Sequence, residues 1–129
     1  MEDVSQIIEK NIPKTVVIIH DIFGGPTMDW IPAVKSQLET MGHSVITPTL
    51  PTGLLASYTL WKSAVSGILQ SIPREAILVG HGIGGNILLS LLSETVYDPT
   101  MLILVNTPCR IPDHAGYRKL SNTFFTEPY

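Results

Sequence analysis

The sequence predicts a three-layer α/β domain built on a parallel sheet. Two observations predict it. Four short apolar runs, at 15–20, 43–48, 76–81 and 101–106, are rich in Val, Ile and Leu and bounded by Gly, Pro, Asn or Asp. Between them, apolar residues recur every three or four positions. Continuous apolar runs point to strands buried on both faces, as in a parallel sheet. Their alternation with helical segments gives a βαβαβαβ order, whose parallel strands need helical crossovers.

The elements follow in order. Residues 1–13 form a polar leader, and residues 14–129 read as a single domain. The first strand, "TVVIIH", ends in His20-Asp21. Gly24-Gly25-Pro26 then marks a turn, with Thr27 as a candidate N-cap. Met28, Ile31, Val34, Leu38 and Met41 share one helix face, and Gly42 supplies the stop. The second strand, "HSVITP", leads into the loop Pro48–Gly53. Tyr58, Trp61, Ala64, Val65, Ile68, Leu69 and Ile72 form a second helical face, ended by Pro73. The third strand, "AILVGH", runs into "GIGGN", and Ile83, Ile87, Leu88, Leu91 and Leu92 form a third face. "MLILVN" is the fourth strand. Residues 107–129 show little periodicity.

Composition narrows the function. With 129 residues, 44% hydrophobic and 15% charged, the chain can build a core. A net charge of −3, with eight scattered Lys and Arg, argues against nucleic-acid binding. No run approaches the ~18 apolar residues of a membrane span, and the first residues lack the pattern of a secretory signal. The one cysteine, Cys109, excludes an intramolecular disulfide and fits a reducing, cytoplasmic setting. Histidines at 20, 43, 81 and 114 lack metal-ligand spacing. No metal or cofactor is expected.

Ligands of open α/β sheets sit beyond the carboxyl ends of the strands. Those ends carry His20 and Asp21, the Pro48–Gly53 loop, His81 and Gly82, and the stretch from Asn106 to Cys109. His20 is read as satisfied by a backbone carbonyl, and Cys109 as a structural thiol rather than a substitute nucleophile.

The glycine turn at 80–85 fits two functional patterns. Gly80, Gly82 and Gly85 satisfy G-x-G-x-x-G, a dinucleotide fingerprint after a strand and before a helix. Against it, no acid stands at the end of the following strand, and the motif lies in the third strand–helix turn rather than the first. Gly80, His81, Gly82, Ile83 and Gly84 also fit the nucleophile elbow G-x-S-x-G in every position but the serine. In that pattern the flanking glycines let strand and helix approach closely. The backbone N–H after the apex, here that of Ile83, contributes to an oxyanion hole. The loop Asp21–Gly25 would supply the second donor, from Ile22.

The order of motifs from "VVIIHDIFGGPTMDWIPAVKSQLETMGHSVITPTLP" through "ILVGHGIGG" to "FFTEPY" resembles the α/β-hydrolases. Within them it resembles the small serine hydrolases related to retinoblastoma-binding protein 9 and their bacterial relatives. The resemblance covers residues 14–129. It implies a sheet order 2-1-3-4 and the elbow and oxyanion loop just described. His81 would be a packing and hydrogen-bonding residue rather than the catalytic base.

The chain departs from that pattern in three places. Gly82 stands at the nucleophile position. Asp21 stands where the family usually has the glycine of a His-Gly loop. The segment bearing the triad Asp and His is not in the sequence, so the domain would be an incomplete hydrolase fold. The departures imply an impaired enzyme that retains binding of a small acyl- or ester-like ligand or of a protein. The alternative is a truncated or mutated form of an active serine carboxyl-ester hydrolase. In the implied order the fourth strand, 101–106, becomes an uncharged edge. Such an edge invites homodimer pairing or another protein partner, unless residues 107–129 fold over it.

Overall fold

A computed structural model describes residues 12–95 and 97–108. The expectations for Cys109, His114 and "FFTEPY" lie outside the described residues, as does most of the leader. The described elements are β1 (Thr15–Ile19), α1 (Ile31–Thr40), β2 (Ser44–Ile46), a 3-10 turn (Gly53–Leu55), α2 (Tyr58–Ser71), β3 (Ile77–His81), α3 (Ile83–Glu94) and β4 (Met101–Val105). The four strands form one sheet in the order β2-β1-β3-β4. Every pairing is parallel, with Val16 opposite Ile77 and Ile77 opposite Met101.

Strand alternation sorts the core into two layers. Side chains of successive strand residues point to opposite faces. Val17 and Ile19 therefore join Leu78 and the inner faces of α2 and α3, among them Trp61, Val65, Ile87, Leu88 and Leu91. Val16 and Ile18 join Val79 and Ile31 on the other face, where Val34 and Leu38 of α1 pack. Burying each such aliphatic side chain contributes about 1.5–3 kcal/mol, so the central strands anchor both layers.

Two expectations need correction. The helical face at 28–41 is too long. Met28 precedes α1 and Met41 follows it, and both are exposed. Asp29, at φ 57°, interrupts any earlier start, and Pro32 falls in the first helical turn. There a residue with φ fixed near −65° and no N–H is well suited. The N-cap is Trp30, without a side-chain cap, and not Thr27. Burial on both faces holds for β1 and β3, but β2 and β4 form the sheet edges. Met101, Ile103 and Leu104 of β4 are exposed.

Candidate functional site

The carboxyl ends of β1 and β3 lie side by side, with Ile19 paired to Gly80. Beyond them the chain makes two turns that meet. One is the loop after β1, closed by the Gly24 N–H donating to the Asp21 carbonyl at 2.9 Å. The other is the passage from β3 into α3 through Gly82.

Gly82 is the N-cap of α3, at φ 56° and ψ −124°. This backbone region is costly for any residue with a Cβ. It matches the strained apex that a nucleophile elbow requires. The Gly82 N–H donates to the Val105 carbonyl at 2.8 Å, and the Gly85 N–H to the Gly82 carbonyl at 3.0 Å, so the turn is held from both sides. The surrounding glycines are required by contact. A Cβ on Gly80 would strike the backbone of Gly85. One on Gly84 would strike the carbonyls of Ile19 and His20, and one on Gly85 the Thr107 hydroxyl.

The side chain of Asp21 fills the apex. Its Oδ1 accepts from the Ile22 N–H at 2.7 Å and from the Ile83 N–H at 2.9 Å. These are the two donors that the elbow pattern assigns to an oxyanion. A Cβ on residue 82 would overlap the Asp21 carboxyl carbon and both its oxygens. The carboxylate thus sits in the space into which a residue-82 side chain would project. A negative charge at a helix N-terminus meets the positive end of the helix dipole, and its hydrogen bonds are charge-assisted. Gly82 has no side chain to cap α3, and Asp21 supplies the cap from 61 positions away in another loop.

His20 is buried and bonded on both nitrogens. Its Nδ1–H donates to the Asp21 carbonyl at 2.8 Å, and its Nε2 accepts from the Leu50 N–H at 3.0 Å. An imidazole that donates at one nitrogen and accepts at the other is neutral. Burial pushes its pKa below the usual value, against the raising effect of the Asp21 carbonyl hydrogen bond. Trp61 packs edge-on at 5.1 Å and donates its indole N–H to the Pro51 carbonyl at 2.7 Å. His20 therefore ties β1 to the 48–53 loop and does not reach toward a substrate.

His81 lies against the Trp30 ring at 5.6 Å, and its Nδ1 is buried without a hydrogen-bond partner. Among the described residues no cluster of three His, Cys, Asp or Glu could hold a metal. No helix there is long and apolar enough to cross a membrane.

The structure thus brings Ile22, Ile83, Asp21 and Gly82 to one point, while His20 is bonded to the Asp21 and Leu50 backbone and His81 packs on Trp30 with its Nδ1 unpaired. The sequence had pointed to the Asp21 loop for its backbone donor and missed its side chain.

No protein-family model matches the sequence, and neither does any curated protein. Solved structures do resemble the fold. The ydeN gene product from B. subtilis superposes with a TM-score of 0.71 at 21% identity, covering 88% of this chain and 61% of that one. An extracellular α/β-hydrolase from a Paenibacillus species gives 0.64 at 21% identity, covering 86% and 53%. A thioesterase domain from the curacin biosynthetic pathway gives 0.65 at 21% identity, covering 88% and 44%. The fold is that of the α/β-hydrolases, and the chain spans between about two-fifths and three-fifths of the length of these structures.

Proposed function

We propose that this chain is an α/β-hydrolase-like protein, of the type related to retinoblastoma-binding protein 9, that binds rather than turns over. The observation that carries this reading is the Asp21 carboxylate on both Ile22 N–H and Ile83 N–H. Acyl transfer in this fold requires a nucleophile at the apex and free donors for the oxyanion. Gly82 offers no hydroxyl, and the donors are already bonded to an anion. A single oxyanion donor is worth about 10²–10³ in rate; here both are engaged.

The same carboxylate weighs against the other two readings. A pyrophosphate at the Gly80–Gly85 turn would need the helix N-terminus that Asp21 occupies, and like charges would repel there. An active serine enzyme differing only at residue 82 would place the serine Cβ inside the Asp21 carboxylate. What is left for function is the rim around the closed elbow, for an acyl- or ester-like ligand, and the exposed edge of β4 (Met101, Ile103, Leu104) for a second copy of the chain.

The test is activity-based labelling with a fluorophosphonate, with p-nitrophenyl acetate hydrolysis run alongside. The expected result is no covalent adduct and no burst of nitrophenolate. Stoichiometric labelling of any residue overturns the reading.

A further inference from the structure

The 3-10 turn at Gly53–Leu55 holds two leucines in water. Leu54 is 84% exposed and Leu55 77%. Leu60, in the first turn of α2, is 56% exposed. A single exposed leucine is ordinary on a protein surface. Adjacent leucines at the tip of one turn, with a third close behind, concentrate apolar surface where turns are usually polar.

The base of this turn is fixed. Leu50 and Ala56, on either side, are buried in the core. The Leu50 N–H donates to His20 Nε2, the Gly53 N–H to the Ile22 carbonyl at 3.0 Å, and the Trp61 indole to the Pro51 carbonyl. Gly53, at φ 59°, turns the chain between these anchors. The leucines are therefore presented by a packed frame, and docking them orders little further backbone.

Charge and backbone decide what such a tip docks on. Between Glu39 and Lys62 the chain has no Asp, Glu, Lys or Arg. Lys62 pairs with Glu94 at 2.6 Å, and the Asp21 carboxylate is turned onto the Ile22 and Ile83 N–H groups. The tip thus enters an apolar phase without stripping water from a charge. The Leu55 and Ala56 N–H groups are bonded within the turn, to the Thr52 and Gly53 carbonyls at 3.1 Å each, which lowers the cost of taking this backbone into lipid. A protein interface of standard size buries about 800 Å² a side and centres on Trp, Tyr or Arg. The tip offers projecting leucines and none of those anchors. A bilayer interface needs no matching pocket.

We propose that the Leu54-Leu55 turn is a membrane-docking tip that inserts into the interface of a zwitterionic, phosphatidylcholine-type bilayer. By this tip the chain lies on the bilayer and does not span it. With a net charge of −3 and its Lys and Arg scattered, anionic headgroups add nothing to the affinity. The inference stands apart from the proposed function: vesicle binding is read whether or not the elbow reacts with a fluorophosphonate.

The experiment is flotation of the full chain with palmitoyl-oleoyl phosphatidylcholine vesicles, with and without phosphatidylglycerol, at low and high sodium chloride. Wild type should float with the pure phosphatidylcholine vesicles, equally at both salt levels. Leu54→Ser and Leu55→Ser should each weaken partitioning by about tenfold, the lower value for burying a leucine side chain. The double change should leave the chain at the bottom of the gradient. Its circular dichroism spectrum should not change, because both side chains already stand in water. Leu54→Trp should still float, with its new indole quenched by lipids brominated in the acyl chains. Wild type that does not float overturns the proposal, as does flotation that survives the double serine change. Flotation that requires phosphatidylglycerol overturns it too, because the contact is then electrostatic. A concentration-dependent dimer abolished by the double serine change, without vesicle binding, overturns it and makes the turn a contact between two copies of the chain.

Discussion

Asp21 and Gly82 exclude one another's alternatives: the carboxylate of the first occupies the space in which a side chain on the second would stand. Gly82 also sits at φ 56° and ψ −124°, where a Cβ costs about 1–3 kcal/mol by itself. Gly82→Ser should therefore destabilise the fold by more than that backbone strain, because it also displaces Asp21 from Ile22 and Ile83. In Asp21→Gly/Gly82→Ser the collision is gone. The double variant should recover about 0.5–3 kcal/mol relative to the sum of the single changes, the usual coupling range for residues in contact. Urea unfolding of the four proteins measures it. Strict additivity would show that the two positions do not share space.

His20 sets a pH dependence of stability. Its folded pKa lies below the ordinary value of 6.5 because of burial. Below pH 6.5 the unfolded chain takes up a proton that the folded chain refuses. The unfolded state then binds more protons, and stability falls as pH falls. The stabilisation is complete above 6.5 and is lost toward the folded pKa, at up to about 1.4 kcal/mol per pH unit. His20→Gln keeps an acceptor for the Leu50 N–H but does not titrate. It should be less stable than wild type at pH 8, and the gap should narrow between pH 6.5 and 5. A gap that stays constant over this range would show that His20 is not held neutral.

The strands were legible because parallel central strands are apolar on both faces, as "VVII" and "ILV" are; their order 2-1-3-4 was legible only through the resemblance to the α/β-hydrolases. The ends of α1 were less so. Met28 and Met41 continue the helical spacing of Ile31, Val34 and Leu38, but spacing carries no record of backbone sign, and Asp29 takes φ 57°. The elbow was legible from Gly80 and Gly84, since close packing of strand and helix admits only glycine there, with Gly82 at the apex between them. The Asp21 carboxylate was not. Its place depends on a contact between residues 21 and 83, and no local pattern encodes the distance between two loops.

Glycines within helices should respond in opposite directions. Gly67 lies in α2 with nothing near its missing Cβ, so Gly67→Ala should stabilise by about 0.5–1 kcal/mol through helix propensity. Gly84 lies in α3 against the carbonyls of Ile19 and His20, which are backbone and cannot turn aside. Gly84→Ala should cost at the upper end of the ~1–3 kcal/mol typical of overpacking. Thermal unfolding monitored by circular dichroism compares the two. A neutral Gly84→Ala would mean that α3 can lift from the end of β1 without loss.

The edge of β4 should govern association. Its strand is "MLILV", without a charge or proline, and Met101, Ile103 and Leu104 are 52%, 41% and 41% exposed. An edge of this kind offers unpaired backbone groups flanked by apolar side chains to any similar strand. A lysine in an edge strand opposes pairing, because its charge would have to be desolvated between the two sheets. Multi-angle light scattering of wild type should show an average mass that rises with concentration toward that of a dimer. Ile103→Lys should hold the monomer mass over the same range, with an unchanged circular dichroism spectrum because the site is already partly in water. Wild type that stays monomeric at every concentration would remove the β4 edge as an interface.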